Sequence, residues 1–285
     1  MIETASPLSA EDTRILIKAF DRLEHASFAA KFTNVVGTPV EMTLKLLPSR
    51  WYQRFHQVAE ACMGQALDTI VSNKDRLPGA RVPGDLGHKI LGMAVGAAGG
   101  FIGGPALLLE LPVATSVMLS AITEIAEREG EDMDSMDARL ACLQVFALGG
   151  RTDEDDAADT GYYGLRLALE VPVAEASRYL SRLGHAAVNR GKPPALVELL
   201  NFIARRFGLV LSEKAAAQMV PLIGAVAGAA INHMFIEHFQ NIAKGHFSLR
   251  RMERTYGSAV IQENYARLRL KSRGLPILAN HSPSF

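Results

Sequence analysis

Polar and apolar residues recur along nearly the whole chain with the 3.6-residue period of amphipathic helices. Leu16, Ala19, Phe20, Leu23 and Ser27 form one such stripe. It follows Ser9-Ala-Glu-Asp12, which has the spacing of a capping box with Asp at the last position. Thr38-Pro39-Val-Glu41 is a second start signal, with proline at the first helical position, and Pro48 closes that short helix. Ser49 is placed to cap a third helix, whose buried face is predicted to be Trp51, Phe55, Val58, Ala59 and Cys62. The Pro- and Gly-rich stretch 74–86 reads as a loop. Further helices are predicted over 86–104, 112–129, 135–148, 160–170, 173–189 and 194–206. The punctuation is Pro105, Pro112, Gly130, Gly149-Gly150, Pro172 and Pro193-Pro194. The last third starts near Ser212 and ends in a basic, aromatic-flecked segment. Strand alternation and internal repeats are not visible, so the fold class expected is all-α, a multi-helix bundle.

Two uncharged runs stand out in this pattern. The first, Ile90–Leu109, has 20 residues and carries Gly92, Gly96, Gly100 and Gly104. The second, Ala215–Ile236, has 22 and carries Gly224 and Gly228. Glycines four apart share a helical stripe and let another backbone come close. Each costs roughly 1 kcal/mol relative to alanine in a helix, so the repetition argues for close helix contact. A glycine-packed pair of long apolar helices is therefore expected at the centre of the bundle. Both runs reach transmembrane length. Gln218, Pro221, Asn232 and His233 make the second expensive in lipid, so a buried hairpin and conditional membrane contact both remain open. The expected organisation is an N-terminal helical extension over 1–75, a core over 84–270 and a tail over 271–285.

Charge changes the picture only locally. Formal net charge is zero, which gives no general pull toward nucleic acid, and no nucleic-acid partner is expected. Between Glu124 and Asp159 there are 12 acidic residues against three arginines, and between Lys244 and Arg273 there are 8 basic residues against two glutamates. The basic segment, with Arg250, Arg251 and Arg254 among Phe247, Met252 and Tyr256, fits an anionic surface such as lipid, or a plain amphipathic helix. Cys62 and Cys142 are distant from each other and suit a reducing compartment rather than a disulfide framework or zinc site. The N-terminal residues do not have the form of a signal peptide.

Candidate chemistry is thin. Glu110, within Leu107-LLELP, reads either as a buried carboxylate or as an exposed helix end. Arg166 is a charge on the otherwise apolar Tyr162-YGLRLALE, which favours a buried or interfacial ion pair. Asn232, His233, Glu237 and His238 form a compact polar group at the end of the second run. His233 and Glu237 share a face, whereas His238 turns about 100° away from Glu237. With Glu110 and Arg166 these residues are expected to line a polar pocket, either as packing groups or as an acid–base pair. The spacing matches neither zincin order, so no metal and no cofactor is expected. Asp153–Asp159 lacks the ligand alternation of an EF-hand loop. No motif assigns a catalytic residue.

Three segments together resemble the EcsC protein family: Gly96-AAGGFIGG-Gly104 with Leu111-PVATSVMLSAITEIAEREGED-Asp132, then Gly161-YYGLRLAL-Leu169, then Met219–Gly257 with its Arg250-x-x-Glu253-x-x-Tyr256-Gly257 ending. The resemblance spans about 40–265. It implies an all-α protein of the bacterial cytoplasm or inner membrane face, linked to transport and secretion, with no activity to carry over. The function expected is a non-enzymatic accessory protein at the cytoplasmic membrane surface, with anionic lipid or a membrane complex as partner. A hydrolase or lipid-acting enzyme using Glu110, His233 and Glu237, and a carrier of a small apolar ligand, are the alternatives.

Overall fold

The computed structural model describes residues 8–25, 27–36, 44–45, 49–72, 104–150, 161–183, 193–218 and 225–273. Among them are nine helices and no strand, so the protein is an all-α multi-helix bundle. In chain order they are α1 (Ala10–Glu24), α2 (Phe28–Val36), α3 (Ser49–Ser72), α4 (Gly104–Arg128), α5 (Met136–Leu148), α6 (Gly161–Leu183), α7 (Pro194–Gln218), α8 (Ala225–Tyr256) and α9 (Ser258–Ser272).

Local chemistry sets several starts where the sequence indicates them. Ser9 Oγ accepts from Asp12 N at 3.0 Å, while the Asp12 carboxylate takes the Ser9 hydroxyl rather than a backbone N–H. Ser135 caps α5, and α7 begins at Pro194. Ser27 is not on the α1 stripe; it caps α2, accepting from Ala30 N at 3.1 Å. At the end of α4, Gly130 has φ 79°. Gly130 N bonds Glu127 O and Glu131 N bonds Ala126 O, the paired contacts of a Schellman turn.

The predicted breaks at Pro112 and Pro172 do not occur. α4 and α6 run through them. Each proline removes one backbone hydrogen bond and crowds the carbonyl four residues back. Packing outweighs that cost because the buried stripe keeps phase across the ring. In α6 it is Leu165, Leu169, Val173, Ala176 and Leu180; in α4 it is Leu111, Ala114, Met118, Ile122 and Ile125. Likewise α7 continues past 206 to Gln218, with Phe207, Val210, Leu211 and Ala215 buried.

The apolar core is one continuous cluster from Leu16 to Tyr265, to which α1–α3 contribute. α3 lies along α7, and α1 lies along α8. α5 is the innermost helix, touching α3, α4, α6, α7 and α8. Phe28, Phe146, Phe207, Phe235 and Phe239 meet at its side, with ring centroids 5.1–6.2 Å apart. After α5, a Cβ added at Gly150 would stand 2.3 Å from the backbone oxygen of Arg206. Backbone cannot yield as a side chain end can. Gly150→Ala is therefore expected to destabilise the fold by about 3 kcal/mol, and an unchanged urea midpoint would count against this α5–α7 contact.

Gly92, Gly96, Gly100 and Gly224 lie outside the described residues, so the predicted glycine packing does too. Gly104 and Gly228 fall within α4 and α8. The predicted helices at 38–48 and 86–104, apart from 44–45 and 104, and the acidic loop Asp153–Asp159 are also outside. Among the described residues, no helix is long and apolar enough to cross a membrane.

Candidate functional site

The site is built where α6 crosses the C-terminal part of α8. Arg166 meets Glu253 through two parallel hydrogen bonds, Nη1 to Oε1 at 2.8 Å and Nη2 to Oε2 at 2.7 Å. Tyr163 donates its hydroxyl to the same carboxylate at 2.9 Å. Arg166 also reaches the Tyr162 hydroxyl at 3.4 Å. That hydroxyl, accepting from Arg166, donates in turn to His246 Nδ1 at 2.8 Å, which assigns the remaining imidazole proton to Nε2. Tyr265 of α9 completes the cluster, stacking edge-on with Tyr163 and donating to Glu24 of α1. Burial pushes the Tyr162 phenol up to about 12, and burial with the Glu24 carboxylate raises Tyr265 well above the ordinary phenol value. These phenols are neutral donors rather than nucleophiles. Burial also holds His246 well below its usual 6.5, so it is uncharged near neutrality.

A second grid adjoins the first. The Schellman turn at Gly130 carries Glu129 and Glu131 onto the flank of α8. Arg250 binds Glu131 through Nε and Nη2, both at 2.9 Å, and binds Asp137 at 2.9 Å. Arg254 binds Glu131 and the Glu129 carbonyl, and Arg251 binds Glu129 at 2.8 Å. Burial alone would raise the Glu131 carboxyl, but Arg250 and Arg254 outweigh it and hold it low. Three arginines of the basic segment thus pair with three carboxylates of the acidic one. Arg250, Arg251 and Arg254 face Asp137 of α5 and Glu129 and Glu131 of the turn between α4 and α5.

Of the six residues expected to share a pocket, the five whose side chains are described meet no common partner. Arg166 belongs to the α6–α8 cluster. Asn232 lies some 30 Å away along α8, at 1.5 Å per residue. Its amide oxygen accepts from Lys214 Nζ at 2.7 Å, and that ammonium sits 4.7 Å from the centre of the Phe235 ring. Lys214 is fully buried. His238 points inward and donates Nε2–H to Gly149 O at 2.8 Å. Burial lowers it to about 4. Glu237 faces Lys31 of α2, whose ammonium is depressed by burial and partly restored by that carboxylate. His233 Nδ1 is buried with no partner among the described residues. The Glu110 side chain lies outside the described ones. Burial raises both thiols, Cys142 to about 12. Among the described residues no group of three His, Cys, Asp or Glu could hold a metal ion.

Glu253, Tyr163, His246 and Lys214 are the residues sequence reading passed over. Lys214 stands one position before the second uncharged run, and Glu253 one turn from the arginines. Two hollows open on the joint grid, of about 370 and 440 Å³. Asp137, Arg166 and Arg250 line both.

No curated protein and no solved structure gives a significant match to this chain. The EcsC protein family model matches residues 21–252, beginning within α1 and ending just before Glu253. That match takes in both α6 and most of α8, the two helices that Arg166 and Glu253 join, and the chain belongs to the EcsC protein family.

Proposed function

We propose that this protein is a non-enzymatic accessory protein acting at the cytoplasmic membrane surface, in support of transport or secretion. The observation that carries the reading is the uncharged, glycine-rich run Ile90–Leu109, attached to a helical body whose charged groups bind one another. Mutual Arg–carboxylate satisfaction makes a rigid surface suited to recognition. Because Arg250, Arg251 and Arg254 are held by Glu129, Glu131 and Asp137, membrane contact rests on apolar insertion more than on attraction to anionic headgroups.

The test is vesicle co-flotation of the full chain. Association with neutral phosphatidylcholine vesicles is expected, persisting in high salt. Gly96→Glu with Gly100→Glu places two charges in the run, each costing about 3 kcal/mol at membrane depth, and should abolish flotation. Flotation only with anionic vesicles, lost in high salt, would overturn the apolar reading. No flotation with any vesicle would overturn the membrane reading itself.

A further inference from the structure

Helix α5 is buried over nearly its whole length, and its two long polar side chains past the first turn are treated differently. Arg139 is satisfied, donating to Met133 O and to Ile70 O at 2.6 and 3.0 Å. Gln144 is 6 % exposed and has no hydrogen-bond partner among the described residues. Its amide keeps donors and an acceptor for another group. Here the amide is not sealed in, because it lines the hollow of about 370 Å³ between α5, α6, α8 and α9.

The walls of that hollow have a definite character. Leu167, Val173 and Ala174 of α6 form an apolar strip along one side. Arg166 and Arg250 are already committed to Glu253 and Glu131. Two carboxylates retain accepting capacity. Asp137, with its side chain 56 % exposed, gives Oδ2 to Arg250. Glu170 is exposed and makes no ion pair among the described residues. Within the hollow Arg166 and Arg250 are matched in number by Asp137 and Glu170. Because both guanidiniums are already bound to Glu253 and Glu131, the hydrogen-bonding capacity left open is accepting, which suits a cationic N–H donor better than an anion.

We propose that this hollow is a binding site for an alkyl ammonium or alkyl guanidinium group. The Gln144 amide oxygen at the floor and the Asp137 and Glu170 carboxylates accept its N–H donors, and Leu167, Val173 and Ala174 pack against its methylenes. Such a group comes from a free polyamine-like molecule or from a lysine or arginine side chain of a partner protein. The site is independent of the membrane reading above.

Titration calorimetry on the full chain tests it, with agmatine and an end-capped tripeptide bearing a central arginine as probes and inorganic phosphate as the anionic control. Saturable binding of agmatine is expected, weakening as salt is added. Glu170→Gln should weaken it by about tenfold or more, since a hydrogen bond to a charged group is lost. Glu170 has no ion pair to lose, so that variant keeps its fold; Gln144→Leu, which also fills the floor, is the second variant. Binding of the tripeptide but not agmatine supports the same site and assigns it to a partner's side chain. Failure of both probes, equal affinity in Glu170→Gln, or binding of phosphate in their place would overturn the proposal.

Discussion

Glu253→Ala is expected to lower the free energy of unfolding by about 3–5 kcal/mol, the cost of leaving a largely buried charge without its counterion. Glu253 is 8 % exposed in its side chain and is the carboxylate that Arg166 binds among the described residues, while it also holds the Tyr163 hydroxyl. The substitution therefore strands a guanidinium and a phenol together. The double variant Arg166→Met with Glu253→Met removes both charges and should cost clearly less than the single change. A contrast is available in the adjoining grid. Asp137 also binds an arginine, but its carboxylate is more than half exposed, so Asp137→Ala should cost no more than about 1 kcal/mol. Urea denaturation followed by far-ultraviolet circular dichroism measures all three. Equal losses for Glu253→Ala and the double variant would show that the pair is not a coupled unit.

That pair marks the boundary of what the sequence made legible. Arg166 alone on an apolar helix already implied an ion pair. Its partner lies 87 positions along the chain, and no local spacing connects the two. The same holds for Tyr162 with His246 and for Glu131 with Arg250, which only the crossing of helices brings together. Charge segregation along the chain was visible, and its resolution was not. An external anion and an internal acidic segment satisfy arginines equally well, and tertiary structure decides between them.

Helix starts were legible because they depend on neighbours in sequence. Ser9 and Ser135 cap their helices through bonds spanning three residues, and Ser49 and Pro194 stand at the first helical position. Proline breaks were not, because whether Pro112 or Pro172 ends a helix depends on what the following turn buries. Val173 and Ala176 continue the stripe of Leu165 and Leu169, and that phase was present in the sequence beside the proline that masked it. Asn232 and His238, close in sequence, have different partners for a related reason. Adjacent positions on a helix face different neighbours, so Asn232 meets Lys214 while His238 meets Gly149.

The two buried histidines give the second large effect, an acid lability well above the range where carboxylates titrate. Burial favours the neutral imidazole in the folded state, lowering His238 from its ordinary 6.5 to about 4 and holding His246 well below 6.5. Their charged neighbours reinforce this: Lys31 near His238, and Arg250 and Arg166 near His246. In the unfolded chain each histidine takes up a proton as pH falls through about 6.5. Between pH 6.5 and 4 the unfolded state thus binds more protons than the folded state, and stability falls with pH. His238 contributes about 1.4 kcal/mol per pH unit over that interval, about 3 kcal/mol by pH 4, and His246 adds to the fall with the same sign. Glu131, held low by Arg250 and Arg254 after burial is offset, has the same sign but acts only at lower pH, below the ordinary carboxylate value of 4.5. Unfolding free energies measured across this range should fall with a slope of about two protons. His238→Gln, whose amide still offers a donor to Gly149 O, should remove one proton from that slope and leave the His246 contribution. A flat profile down to pH 5, or His238 and His246 resonances that titrate at 6.5 in the folded protein, would contradict the neutral burial of both rings.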